Sequence, residues 1–281
     1  MTPKDSIKDI MNSPYGLEKD EKILDAILKI IKYKIGRLII FDSKIPVGIV
    51  SEKDILSFLF KDKLHRNIGE IPVSEIMNDI YYVDEDTSKT KAAQFMIDKR
   101  CSSVVIGSAE KLEGIVTKTD LTKYYAEKEQ GKNSVADWMS LHYFSVFTKD
   151  PLYEVIKTML GFGISRMMII DDNKQPSGIV STGDLFRAIL KIETLDEMKK
   201  NLGKSQAEEE FWSKYGFFCS QPSGKIMTKS IIKVKANEDL AKACQIMINR
   251  EINALAVGET NKNVEGIIGK RDVLLALAQT N

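Results

Sequence analysis

The chain has 281 residues, 43% of them hydrophobic and 29% charged, a composition that excludes a disordered protein and allows a sizeable core. Its 41 basic and 40 acidic residues nearly cancel, so nothing in the charge balance favours nucleic acid or an anionic membrane as a partner. The three scattered cysteines (Cys101, Cys219, Cys244) suit neither a disulfide framework nor a metal site, and neither a signal-peptide core nor an apolar run of ~20 residues is present, so the expected compartment is the cytoplasm.

In chain order, the first unit starts with Ile10-Met11, and SPYGLEKDEK around Pro14 gives no clear first strand. A strand GRLIIFD from Gly36 follows, then the turn Asp42-Ser43-Lys44, then GIVSEKDIL from Gly48. The second unit has Ile76-Met77, a strand IYYV from Ile80, a helical stretch AAQFMIDK, a strand SSVVIG from Ser102 and GIVTKTDLT from Gly114. The third has Trp138-Met139, YFSVF from Tyr143, SRMMIIDD from Ser165 and GIVSTGDLF from Gly178. The fourth has Ile226-Met227, IIKV from Ile231, the helix LAKACQIMINR, NALAVG from Asn253 and GIIGKRDVL from Gly266. The motif glycines lie 66, 64 and 88 residues apart, so an insertion of roughly 22 to 24 residues, EEEFWSKYGFF included, falls between Lys191 and Pro222.

Each unit reads strand–helix–strand–strand–helix, so the expected fold is α/β, with four β-α-β-β-α repeats. Repeats are expected at 1–62, 70–127, 134–191 and 222–281, with an insertion at 192–221. A unit this small buries only part of its apolar surface alone, so the even count predicts pairs, one with two and three with four. The insertion aromatics Phe211, Trp212, Tyr215, Phe217 and Phe218 suit either a covered module edge or a partner surface.

Within the repeated motif, a strand runs into a helix whose first turn carries an Asp three residues after a hydroxyl. Free backbone N–H groups at such a helix start favour an anion. The same Ser-x-x-Asp spacing is also a capping-box signature, which needs no ligand. His65 and His142 are the only histidines and have no second ligand or nucleophile beside them, and Gly161-Phe162-Gly163 ends a helix instead of opening one. No enzyme is expected.

The recurring G-I-[VI]-[ST]-x-x-D and the order of elements resemble CBS domains, and the four-repeat layout is similar to that of the regulatory γ subunit of the AMP-activated kinase. The resemblance implies two Bateman modules with ligand clefts between paired repeats, no required cofactor, and AMP, ADP or ATP as ligand, with S-adenosylmethionine the second candidate. It assigns ribose to Asp54, Asp120 and Asp184 and phosphate to Ser51, Thr117 and Ser181, with Asp272 in the fourth repeat and Ile179 lining the third. Arg37 and Arg166, entering the middle strands, are further phosphate candidates. Two departures stand out. Gly269 replaces the hydroxyl in the fourth repeat, and Ile39, Val105, Met168 and Ala256 stand where family members often carry Pro. The implied function is ligand-controlled regulation of a partner protein or of the chain's own assembly, such as a homodimer. The competing reading is an interaction scaffold with empty clefts, working through the insertion.

Overall fold

The computed structural model describes residues 5–62, 66–190, 215–216, 218–228, 231–259 and 264–279. The first repeat comprises β1 (Gly16–Glu18), α1 (Ile23–Tyr33), β2 (Arg37–Asp42), β3 (Ile45–Ser51) and α2 (Glu52–Lys61). The second comprises β4 (Tyr82–Val83), α3 (Lys89–Asp98), β5 (Ser103–Gly107), β6 (Leu112–Thr117) and α4 (Lys118–Lys128). The third runs through β7 (Ser145–Phe147), α5 (Leu152–Gly161), β8 (Arg166–Ile170), β9 (Pro176–Ser181) and α6 (Thr182–Leu190). The fourth has β10 (Lys233–Val234), α7 (Leu240–Asn249), β11 (Ala254–Val257), β12 (Gly266–Gly269) and α8 (Lys270–Ala278). In every repeat the first strand runs parallel to the middle strand, and the middle runs antiparallel to the third.

The first repeat does have its first strand. β1 is only three residues long and buries Leu17 alone, so it carries no alternation that a sequence could display. Gly16 lets it lie close to β2: a Cβ there would stand 2.7 Å from the Ile39 carbonyl oxygen and within the Phe41 ring.

Pairing has two sides. On the sheet side, repeats one and two share an apolar cluster of Ile39, Val105 and Ile115, with Phe41, Ile49 and Tyr82 against it. They also exchange the segments that precede them. Asn12 pairs with Ile115 of the second repeat, and Asn78 with Ile49 of the first. Repeats three and four do the same, with Ser140 on Ile267 and Thr228 on Ile179. The Met in the exchanged dipeptide explains the motif glycine in three repeats, while at Gly266 the nearest atom is the Ser140 carbonyl oxygen at 2.7 Å, with Met139 Sδ at 3.3 Å. A Cβ at Gly48 would stand 2.5 Å from Met77 Sδ, and one at Gly114 or Gly178 would be 2.8 or 2.7 Å from Met11 or Met227 Sδ. The close approach that glycine permits here is thus to a thioether of the paired unit.

On the helix side each repeat has a second partner, which the sequence did not indicate. Buried side chains of repeat one (Ile27, Leu38, Ile55, Leu59) share a core with those of repeat three (Leu152, Ile156, Val180, Phe186). Repeat two (Ala93, Met96, Leu121, Tyr125) shares a second core with repeat four (Leu240, Met247, Leu255, Leu277). Each repeat has an apolar sheet face and an apolar helix face, and each needs its own cover. Sheets join one to two and three to four, helices join one to three and two to four, and the four repeats close into a ring. Tyr215 and Phe218 are buried in the core of repeats one and three, so they are not a partner surface; Phe211, Trp212, Phe217 and His65 lie outside the described residues. Among the described residues no helix is long and apolar enough to cross a membrane.

Candidate ligand site

Register puts the motif residue at a strand end, and Lys118, next to Thr117, feels the charges of Arg37, Arg166 and Arg271 from the other three repeats, so these strand ends line the ring's centre. The first residue of each middle strand pairs with the last of the third, Arg37 with Ser51, Ser103 with Thr117, Arg166 with Ser181 and Ala254 with Gly269. The following helix starts there, so each repeat presents a helix N-terminus at that strand end. Starts of facing helices meet: Lys270 Nζ, at the head of α8, donates to Thr119 Oγ1 at the head of α4, at 3.0 Å.

All four motif aspartates accept from the residue that caps their helix. Ser51 donates both its N–H (2.8 Å) and its Oγ–H (2.5 Å) to Asp54 Oδ2. Thr117 does so to Asp120 Oδ2 at 2.8 and 2.7 Å, and Ser181 to Asp184 Oδ2 at 2.9 and 2.6 Å. In the fourth repeat only the backbone remains, Gly269 N–H to Asp272 Oδ2 at 2.8 Å. These caps satisfy helix donors that would otherwise lack partners. They occupy one carboxylate oxygen and leave the other, Oδ1, to distinguish the repeats. Asp120 Oδ1 accepts from the Asn12 amide at 2.9 Å, and Asp184 Oδ1 from the exposed Arg187 at 2.8 Å. Asp54 Oδ1 has no partner among the described residues.

The two arginines cross their modules. Arg37 Nη1 donates to Ser102 Oγ of the second repeat at 3.0 Å, and Arg166 Nη1 to the Asn253 carbonyl of the fourth at 3.2 Å. Burial lowers the pKa of both guanidinium groups, against the pull of Asp120, Glu52 and Asp54 on Arg37 and of Asp272 on Arg166. Lys118, the first residue of α4, lies among like charges. Burial first, then Arg271, Arg37 and Arg166, bring its pKa down from 10.5 to about 8. No carboxylate pairs with Lys118 among the described residues. Burial also lowers Lys270 and raises Glu52, so the centre is a partly desolvated place where charges of both signs are held under strain.

Comparison with known proteins follows the same divisions. The CBS domain family matches this chain four times, at residues 7–61, 73–127, 135–191 and 224–279. The chain belongs to the CBS-domain family. Protein MJ1225 of Methanocaldococcus jannaschii is 23% identical over 246 residues, 81% of each chain. Its crystal structure, described as that of a candidate archaeal homologue of γ-AMPK, superposes with a TM-score of 0.81 over 97% of this chain and 100% of its own, at 22% identity. A conserved protein of Pyrococcus horikoshii superposes with a TM-score of 0.64 at 19% identity, over 97% of this chain and 99% of its own. Likenesses at this level of identity establish the fold. Protein MJ1404 of M. jannaschii is 38% identical over 109 residues, 34% of this chain and 26% of that protein.

Against the CBS pattern, Ser51/Asp54, Thr117/Asp120 and Ser181/Asp184 come together as hydroxyl–carboxylate pairs, and Arg37 lies electrostatically within reach of both Asp54 and Asp120. Ile179 does not offer its backbone, because its N–H and carbonyl both pair with Thr228 in the exchanged segment. Arg166 is drawn away from Ser181 toward Asp272, with Nη2 3.5 Å from Oδ2. His142 is exposed, and no group of His, Cys, Asp and Glu among the described residues could hold a metal ion. Sequence reasoning overlooked Lys118 and Asn12. Lys118 did carry a signal: a lysine at the first position of a helix opposes the helix dipole, so some other demand must hold it there. Asn12 carried none, because the repeat it serves begins some 60 residues later.

Proposed function

We propose that this chain is a non-catalytic regulatory protein that senses adenosine nucleotides at the strand ends lining the centre of its ring and so controls a partner protein or its own assembly. What carries the reading is Lys118, which shares the centre with Arg37, Arg166 and Arg271 and has no carboxylate partner among the described residues. An unpaired cation held beside helix N-termini and further positive charge favours a bound anion, even with Arg166 drawn to Asp272. Phosphate supplies such charge, so AMP, ADP or ATP fits better than the sulfonium cation of S-adenosylmethionine.

Each part of a nucleotide has a counterpart here. A ribose diol has two donors, and Asp54 can offer Oδ1 as an acceptor while Oδ2 keeps the cap of α2. Ser51, Thr117 and Ser181 each have one hydroxyl proton, now given to the neighbouring Asp. Phosphate would take that proton as its own hydrogen bond, while the backbone N–H would keep the cap in place. Arg37 and Lys118 would meet the phosphate charge from the facing repeat. Because sheets and helices link the four repeats in a closed ring, a ligand that favours one spacing of the repeats over another would shift the whole ring.

Calorimetric titration of the full chain with AMP, ADP, ATP and S-adenosylmethionine tests this. The reading expects nucleotides to bind more tightly than S-adenosylmethionine, with affinity falling at least tenfold in Lys118→Met. Preference for S-adenosylmethionine, or nucleotide affinity indifferent to Lys118, would contradict it.

A further inference from the structure

The fourth repeat has Gly269 where the others have Ser51, Thr117 and Ser181, and the structure contains what stands in the place of the missing hydroxyl. A Cβ at residue 269 would be 2.1 Å from Arg166 Nη2, 2.3 Å from Cζ and 2.4 Å from Nη1. Every atom of that guanidinium fork therefore occupies the space into which a serine or threonine side chain would project. The guanidinium is held there from two directions, by the Asn253 carbonyl at 3.2 Å and by Asp272 Oδ2 at 3.5 Å. Arg166 is 19% exposed and Asp272 10%, so this is a largely desolvated pair and not a surface contact.

The first module serves as an internal control. Arg37 begins β2 as Arg166 begins β8, pairs with Ser51 as Arg166 pairs with Ser181, and likewise crosses to the next repeat. There the motif residue is Thr117, and the Arg37 guanidinium stops at Ser102 Oγ, 3.0 Å away, without an ion pair to Asp120. Asp120 also has the Asn12 amide on its Oδ1, but the motif position is the difference that lies on the arginine's own path. With a hydroxyl residue the arginine stays outside the loop; with glycine it enters and neutralises the carboxylate.

We infer that Arg166 closes the fourth CBS site from within. Its guanidinium occupies the hydroxyl's position and engages the carboxylate that would take ribose, so repeat four binds no nucleotide and the chain's capacity is limited to the other three repeats. Arg166 is thereby an internal counter-ion of Asp272 and not a ligand for phosphate. Admitting a nucleotide would mean breaking this largely desolvated pair and moving the guanidinium out of the space at residue 269. The inference rests on the proposed nucleotide reading of the motif, and the test separates the two.

Titrating ATP into the wild-type chain and into Arg166→Ala, with stoichiometry as the readout, decides between them. Removing the guanidinium should raise the number of bound nucleotides by one, and adding Asp272→Asn to that variant should remove the gained site. Should Arg166→Ala fail to fold with Asp272 left bare, Arg166→Gln keeps a polar side chain too short to fill the loop and carries the same expectation. Unchanged stoichiometry in a wild type that binds ATP overturns the closed site alone. Fewer bound nucleotides in the variant overturns it too, making Arg166 a phosphate ligand. A wild type and variants that all bind none overturn the nucleotide reading on which the inference rests.

Discussion

Met77, which precedes the first strand of the second repeat, lays its thioether on Gly48 of the first, where a Cβ would stand 2.5 Å from sulfur. The motif glycine and the dipeptide methionine are therefore one contact, made reciprocally within each module. Gly48→Ala should destabilise the chain by about 1–3 kcal/mol, because a well-packed site must shift to admit the methyl group. Pairing it with Met77→Ala should recover part of that loss, and denaturant unfolding of the two single variants and the double measures the coupling. Additive losses would show that the two residues do not meet.

Lys118 gives a pH dependence with a definite sign. Its pKa is about 8 in the folded chain against 10.5 unfolded, so the unfolded state holds more protons on this residue between those values. Stability should therefore be lowered by a constant amount below pH 8 and should rise as pH climbs from 8 toward 10.5. The lysine is partly exposed and solvent screens it, so we expect about 2 kcal/mol, less than the full shift would give. Urea unfolding of wild type and Lys118→Met at pH 7.5 and 9.5 checks this. The variant should be the more stable at the lower pH, and the gap should narrow at the higher.

Asp54 has two duties that different substitutions separate. Oδ2 caps α2 through Ser51, so Asp54→Ala should cost about 1 kcal/mol of stability regardless of ligand. Asp54→Asn keeps an acceptor oxygen for the cap and loses the carboxylate. It should leave the melting temperature nearly unchanged while weakening nucleotide binding. Equal binding by Asp54→Asn and wild type would remove ribose from this residue.

Phe218 belongs to the core between repeats one and three, 5% exposed and 6.5 Å from the Tyr215 ring. Phe218→Ala should lower stability by about 3 kcal/mol, as truncating a buried aromatic does. Thermal melting monitored by circular dichroism reads this directly, and an unchanged melting temperature would mean that the segment does not support the core.

Much of this architecture was legible because the sequence repeats it. The motifs from Gly48, Gly114, Gly178 and Gly266 gave the strand pair and helix of every unit, and the even count gave the sheet-side partners. The helix-side partners were not legible. The apolar stripe of α3 or α7 says that a face is buried, but it does not say against which helix. The exchange of Met11 and Met77 was hidden for a similar reason: the dipeptides were visible, while nothing local ties Met77 to a glycine behind it in sequence. At the site, the Ser-x-x-Asp capping geometry appeared as its spacing required. Arg37 and Arg166 were legible by position, but their reach across the module depended on Ser102 and Gly269, and those contacts exist only once two repeats face each other.

The measurement that tests the account most directly is a titration of ATP into this 281-residue chain, followed by isothermal calorimetry and repeated with Lys118→Met. The account predicts saturable binding to the wild type and at least tenfold weaker binding to the variant. No heat of binding with ATP, AMP or ADP, or identical isotherms for wild type and variant, would contradict it.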